Sequence, residues 1–137
     1  SAHLTDLLHT TLGFDGIVVA DYFSVAFSFY EGDYRALAPG GSGGGSVGTH
    51  TADPALDGSI DSVLNQIGPE RFYLNLRNAE STPAATWLAE ERLFRSIGAI
   101  ATPTSSSFSL TTLAADFDAV IFIRQSSASK ALEPITQ

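Results

Sequence analysis

The sequence contains no cysteine and no methionine. Without thiols there is no disulfide, no thiolate metal site and no cysteine nucleophile, although this leaves the compartment open. Cationic side chains are scarce: 7 Lys and Arg stand against 15 Asp and Glu, for a formal net charge of −8. Phosphate backbones and anionic lipid surfaces are bound by clustered cations, so neither nucleic acid nor membrane is expected as a partner. The plain reading of the charge is solubility. Long apolar runs are missing too. None approaches the roughly 20 residues of a membrane-spanning helix, and the N-terminus lacks the basic start and apolar stretch of a secretory signal. A cytoplasmic location is therefore favoured. Residue 1 is Ser, which together with the lack of methionine is expected of a truncated chain.

What is present is a chain of 137 residues, 44% of them hydrophobic. That suits a single domain, residues 1–137, with one core. Leu4, Leu7, Leu8 and Leu12 share one face of a helix predicted over 2–12, stopped by Gly13. Residues 16–20 are a β-branched run ending at Asp21. Over 22–30, Phe23, Val25, Phe27 and Phe29 alternate with small or polar residues, which predicts a strand. Glu31-Gly32-Asp33 signals a turn or bulge, and 34–37 continue the strand or begin its partner. The Gly/Ser stretch at 39–46 is a flexible loop by composition, either a linker or the tip of a long hairpin with 47–51 returning. It lacks the Lys-Ser/Thr ending of a phosphate-binding loop.

Further along, Leu56, Ile60, Val63, Leu64 and Ile67 predict an amphipathic helix over 56–67, ended by Gly68-Pro69. Residues 71–76 predict a strand. Thr82-Pro83 predicts a helix start, and the helix is expected to run through Trp87, Leu88, Phe94 and Ile97 to Gly98. Residues 104–107 read as loop and 117–123 as a buried strand. Strands alternating with helices predict an α/β fold: a mixed sheet flanked by helices, with the early Phe-rich pair as an antiparallel hairpin at one edge.

Candidates for chemistry are few. His3 and His9 are six apart, too far out of phase to share a helical face as metal ligands, so no metal site is expected, nor any cofactor. There is no G-x-S-x-G nucleophile elbow. Acids remain. Asp21, Glu31 and Asp33 cluster around one strand, where α/β folds commonly bind ligands, and paired carboxylates can perform acid–base or glycosidic chemistry. The competing reading makes Glu31 and Asp33 turn residues and Asp21 a strand cap.

Two resemblances follow from these stretches. "LTDLLHTTLGFDGIVVADY" (4–22) resembles the nucleophile segment of family-three glycoside hydrolases, in which a leucine-rich helix and a GFDG turn lead to a strand ending in the catalytic aspartate. Asp21 falls on that position. "FSVAFSFYEGDYRAL" (23–37), "GSIDSVLNQIGPERFYLNLR" (58–77) and "FDAVIFIRQSSASKALEP" (117–134) are similar, in order, to the C-terminal part of the erythromycin esterase-like family. "SAHL" (1–4) resembles the start of the helix before that part's hairpin.

The second resemblance covers more of the chain. It implies an α/β fold and metal-independent hydrolysis of a macrolide lactone by a histidine-activated water supported by glutamates. Those catalytic residues belong to segments N-terminal to the aligned part, so none is carried onto this chain. The resemblance makes the chain a fragment of such a hydrolase, inactive alone. Its partners would be the missing catalytic half and a small-molecule ester, with Glu31, Asp33 and Tyr34 lining the substrate cleft. An exposed packing face would also favour a homo-oligomer. The alternative is a non-catalytic chimera or interaction module containing the glycosidase-like segment, with Asp21 at the nucleophile position.

Overall fold

The computed structural model describes residues 22–38 and 46–130. The predicted helix 2–12, the run 16–20 with Asp21, most of the Gly/Ser loop and the end of the tail lie outside the described residues. The elements are β1 (Val25–Leu37), β2 (Val47–Ala52), α1 (Ile60–Gln66), β3 (Arg71–Asn75), α2 (Ala85–Ala89), β4 (Glu91–Arg95), β5 (Phe108–Thr112), α3 (Leu113–Asp116) and β6 (Ala119–Ser126). Short 3₁₀ turns occupy Ala79–Ser81 and Thr104–Ser106.

β2, β1, β6 and β3 form a mixed sheet in that order, and β4 and β5 form a separate antiparallel pair. β1 and β6 run parallel, while β2 and β3 are antiparallel to their neighbours. The expected α/β fold with a mixed sheet and an antiparallel hairpin at one edge is therefore present.

β1 spans 13 residues without a turn at Glu31-Gly32-Asp33. It changes partner there instead. Val25–Gly32 pair with β6, and Gly32–Leu37 pair with β2. Gly32 belongs to both ladders and has φ +125°, a conformation that side-chain-bearing residues rarely adopt. The predicted turn is thus a local kink inside a continuous strand.

The core lies between this sheet and α1, with Leu88 of α2, Phe94 of β4 and Leu113 of α3 joining it. Alternation puts Ala26 and Ser28 of β1, and Val120 and Phe122 of β6, on the covered face, where all four are buried. Ile60 and Leu64 of α1 are buried against them, and Phe72 of β3 stacks on Phe122 with ring centroids 5.0 Å apart. α1 begins where Ser59, in extended conformation, accepts a hydrogen bond from the Ser62 amide at 3.2 Å through its hydroxyl. Replacing Ser59 with alanine should cost about 1 kcal/mol of stability and replacing it with glycine only a few tenths, read as urea midpoints.

One expected element is corrected. The helix predicted from Thr82 to Gly98 is only α2, and Glu91–Arg95 are a strand. Its partner β5 was not expected at all. Leu93 pairs with Leu110 and Phe94 with Ser109, while the Arg95 amide donates to the Asp61 carboxylate. These long-range bonds outweigh the local helical spacing of Trp87, Leu88 and Phe94, as tertiary context commonly does.

Candidate functional site

The parallel pair β1–β6 gives the sheet a polarity. Ligands of open α/β sheets bind beyond the carboxyl ends of such strands. Here that end carries a pocket of about 210 Å³ lined by Glu31, Gly32, Asp33, Asp53, Gln125 and Ser126 among others. Glu31 and Asp33 are two apart on one strand and so project to the same side. Asp33 accepts a hydrogen bond from Thr51 Oγ1 at 2.8 Å, and Ser126 Oγ donates to the Asp33 carbonyl at 3.0 Å. Asp53, just past the end of β2, accepts from Thr104 Oγ1 at 2.9 Å.

The close approach of β1 to β6 depends on Gly32. A Cβ there would lie 2.3 Å from the Ser126 carbonyl oxygen and 2.6 Å from its nitrogen.

Behind this edge is a buried polar network. Asp61, at the start of α1, is fully buried. One carboxylate oxygen accepts from Ser28 Oγ at 2.6 Å and the other from the Arg95 amide at 2.8 Å. Burial pushes its pKa up, and those two hydrogen bonds counter the shift only in part.

The Arg95 side chain is itself buried. Nη2 donates to the Asp53 carbonyl at 2.7 Å, and the guanidinium carbon lies 4.8 Å from the Phe29 ring centroid and 5.2 Å from that of Phe108. Cation–π attraction of this kind strengthens out of water. Burial lowers the Arg95 pKa, and the charges of Asp61 and Asp53 oppose that shift. The network ties α1, β1 and β4 to the backbone at Asp53, which lines the pocket.

Of the residues named from sequence, Glu31 and Asp33 come together at the pocket. Tyr34 does not join them. It pairs across the hairpin with His50, their rings 5.7 Å apart, and is not among the lining residues. Asp21 lies outside the described residues. His50, which sequence analysis left unassigned, has its Nε2 3.2 Å from the Ala36 carbonyl oxygen. No group of three or more His, Asp or Glu among the described residues is arranged to hold a metal ion.

Asp53, Asp61 and Arg95 escaped sequence analysis. Asp61 sits in the first turn of a helix, where acids are common for electrostatic reasons alone, and Arg95 lay inside a predicted helix. Neither carried a distinguishing local signal.

A wider groove of about 680 Å³, lined by Leu76, Arg77, Glu80, Phe117 and Asp118 among others, opens at the other end of β6. Its charged wall is already satisfied in part: Arg77 Nε pairs with Asp118 at 3.0 Å, and the Ser24 amide donates to the same carboxylate at 2.8 Å. Those hydrogen bonds, first from Ser24 and then from Arg77, hold the Asp118 pKa below the usual range. The carboxyl-end pocket is the better candidate, because it follows the strand polarity and keeps the Glu31 side chain free of a protein hydrogen bond among the described residues.

Comparison with known proteins adds a family. The sequence matches the model of the family described as erythromycin esterase over residues 17–126. That match takes in Asp21 together with the pocket. No curated protein matches the sequence significantly. A crystal structure of a Bacillus cereus protein is similar at 24% identity and TM-score 0.65, over 77% of this chain and 25% of that one. A succinoglycan biosynthesis protein is similar at 21% identity and TM-score 0.64, over 89% of this chain and 27% of that one. The chain thus spans about a quarter of the length of the solved structures it matches. Their likeness shows a shared fold, and the match over residues 17–126, which takes in all of β1 and ends on the last residue of β6, shows that this chain belongs to the erythromycin esterase family.

Proposed function

We propose that this chain is the C-terminal α/β portion of an erythromycin esterase-like hydrolase, acting on a macrolide or related ester. The observation that carries this reading is the family match ending at Ser126, which lines the carboxyl-end pocket. In this reading the catalytic half supplies the histidine that activates water. The water attacks the ester carbonyl as the histidine takes its proton, and the tetrahedral intermediate collapses with cleavage of the C–O bond, the departing alkoxide taking up that proton and, in a lactone, staying tethered to the opened chain. The present chain supplies one wall of the cleft. Glu31 and Asp33 accept hydrogen bonds from substrate hydroxyls, and Tyr34 stays on the hairpin beside His50. Alone the chain would not hydrolyse the ester.

The test is lactone opening of a macrolide by this chain alone, and by the chain mixed with the N-terminal half of a related esterase. Turnover is expected only in the mixture. Glu31→Gln should then raise KM with little change in kcat, because it removes substrate binding and not the water-activating group. Equal turnover by the chain alone would defeat the proposal, as would a mixture that binds but never turns over.

A further inference from the structure

The segment 96–107 that joins β4 to β5 also holds the β1–β2 pair. The Leu37 amide donates to the Ala99 carbonyl, and the Ala101 amide to the Leu37 carbonyl, both at 2.8 Å. The segment then turns through Thr104–Ser106. The buried Ser107 donates from its hydroxyl to the Thr104 carbonyl at 2.8 Å, and the Ser96 amide donates to the Ser107 carbonyl at 2.7 Å. Thr104 is fixed in this way, and its hydroxyl is the one that holds the Asp53 carboxylate.

Asp53 is held a second time, from the interior. Arg95 is only 4% exposed, and the bond from Nη2 to the Asp53 carbonyl is the one hydrogen bond its guanidinium makes among the described residues. Nε and Nη1 are buried without an acceptor. Stability does not account for this arrangement. Buried donors without partners are destabilising, and apolar residues of similar size commonly replace buried ionic side chains at no loss. What the guanidinium secures is the position of a residue that lines the carboxyl-end pocket. Two residues on, the Ala55 amide donates to the Tyr30 carbonyl at 2.9 Å, which ties the same segment to β1 next to Glu31.

We propose that Asp53 is a further substrate-contacting residue of the carboxyl-end pocket, and that Arg95 and Thr104 are positioning residues that act through it. This rests on the reading that the pocket binds the substrate. Thr104 Oγ1 occupies Oδ2 of Asp53. Asp53 is exposed, and its Oδ1 is left to accept from a substrate hydroxyl. Glu31 and Asp33 line the pocket from β1, and Asp53 from the segment after β2. Holding that segment in place beforehand lowers the ordering cost of binding.

The test combines kinetics of the mixture with the N-terminal half of a related esterase and hydrogen exchange on the full chain alone. Asp53→Ala and Thr104→Val should each raise KM severalfold at unchanged kcat. The double variant should be no worse than Asp53→Ala, because Thr104 acts only through the Asp53 carboxylate, and Thr104→Ser should restore the original KM. Additive effects, or no change in KM with Thr104→Val, overturn the proposal. In the chain alone, Arg95→Gln and Thr104→Val should each speed exchange of the Ala55 amide severalfold and leave the Arg71–Asn75 amides of β3 unchanged. Should Arg95→Gln fail to fold, Thr104→Val carries this measurement. Unaltered exchange at Ala55 overturns the hold on Asp53. A mixture that is silent even with the unmodified chain defeats the substrate reading and the Asp53 contact with it, while exchange at Ala55 still decides whether Arg95 and Thr104 position the segment.

Discussion

Asp61→Ala should destabilise the fold by about 3–5 kcal/mol, because it leaves the Ser28 hydroxyl and the Arg95 amide buried without acceptors and takes away the nearest counter-charge to a buried guanidinium. Asp61→Asn should cost much less. Its amide can still accept from the Arg95 amide, and its NH₂ can donate to the Ser28 oxygen once that hydroxyl rotates. Chemical denaturation of both variants separates these outcomes, and equal losses would show that volume, not hydrogen bonding, sets the cost.

The pair also isolates a pH effect. Burial raises the Asp61 pKa above the ordinary 3.8. Between the ordinary and the raised value the folded state binds more protons than the unfolded one, so this group's contribution to stability is greatest below about 3.8 and falls as pH rises through the folded pKa. Asp61→Asn should flatten that part of the profile. An unchanged slope would place the titration elsewhere.

Gly32→Ala should be the most damaging glycine-to-alanine change among the described residues. The φ of +125° costs an alanine about 1–3 kcal/mol. The added carbon would also meet Ser126 backbone atoms at 2.3 and 2.6 Å, and backbone, unlike the end of a long side chain, cannot swing away. Relief requires β1 to part from β6 at the residues that line the carboxyl-end pocket. A stability loss of at least about 3 kcal/mol is expected, with hydrogen-exchange protection falling first at Ser126 and the Glu31–Asp33 segment. A Gly32→Ala protein with unaltered protection there would show that the strands have room the geometry denies.

Much of this fold was legible because local pattern and final structure agree. The Phe23–Phe29 alternation became β1, the apolar face of 56–67 became α1, and the Ala-Val-Ile-Phe run became the buried strand β6. Glu31 and Asp33 were legible as neighbours for a simple reason: on any strand, residues two apart project together. Tyr34 stands apart from them by the same rule, since one step along the strand turns a side chain to the other face.

Other features had no local signature. Glu91–Arg95 carries helical spacing and became a strand only because β5 and Asp61 offered hydrogen bonds that a longer helix could not use. Asp61 and Arg95 are separated by 34 residues in sequence, and no spacing rule links an acid in a helix's first turn to the amide of a distant strand. The Glu31-Gly32-Asp33 triplet signalled a bend, but not that the chain would continue as one strand and exchange partners there.

The sequence by itself determined the α/β class, the hairpin edge and the lack of thiol chemistry, because periodicity and composition act within a few residues of one another, and its stretches at 23–37, 58–77 and 117–134 carried the resemblance to the family. Tertiary structure alone decided which end of the sheet is open, which carboxylate is buried beside which guanidinium, and why residue 32 must be glycine. Each of those depends on free energy exchanged between segments far apart in the chain: desolvation of Asp61 against its hydrogen bonds, and the closeness of two strands that only folding brings together.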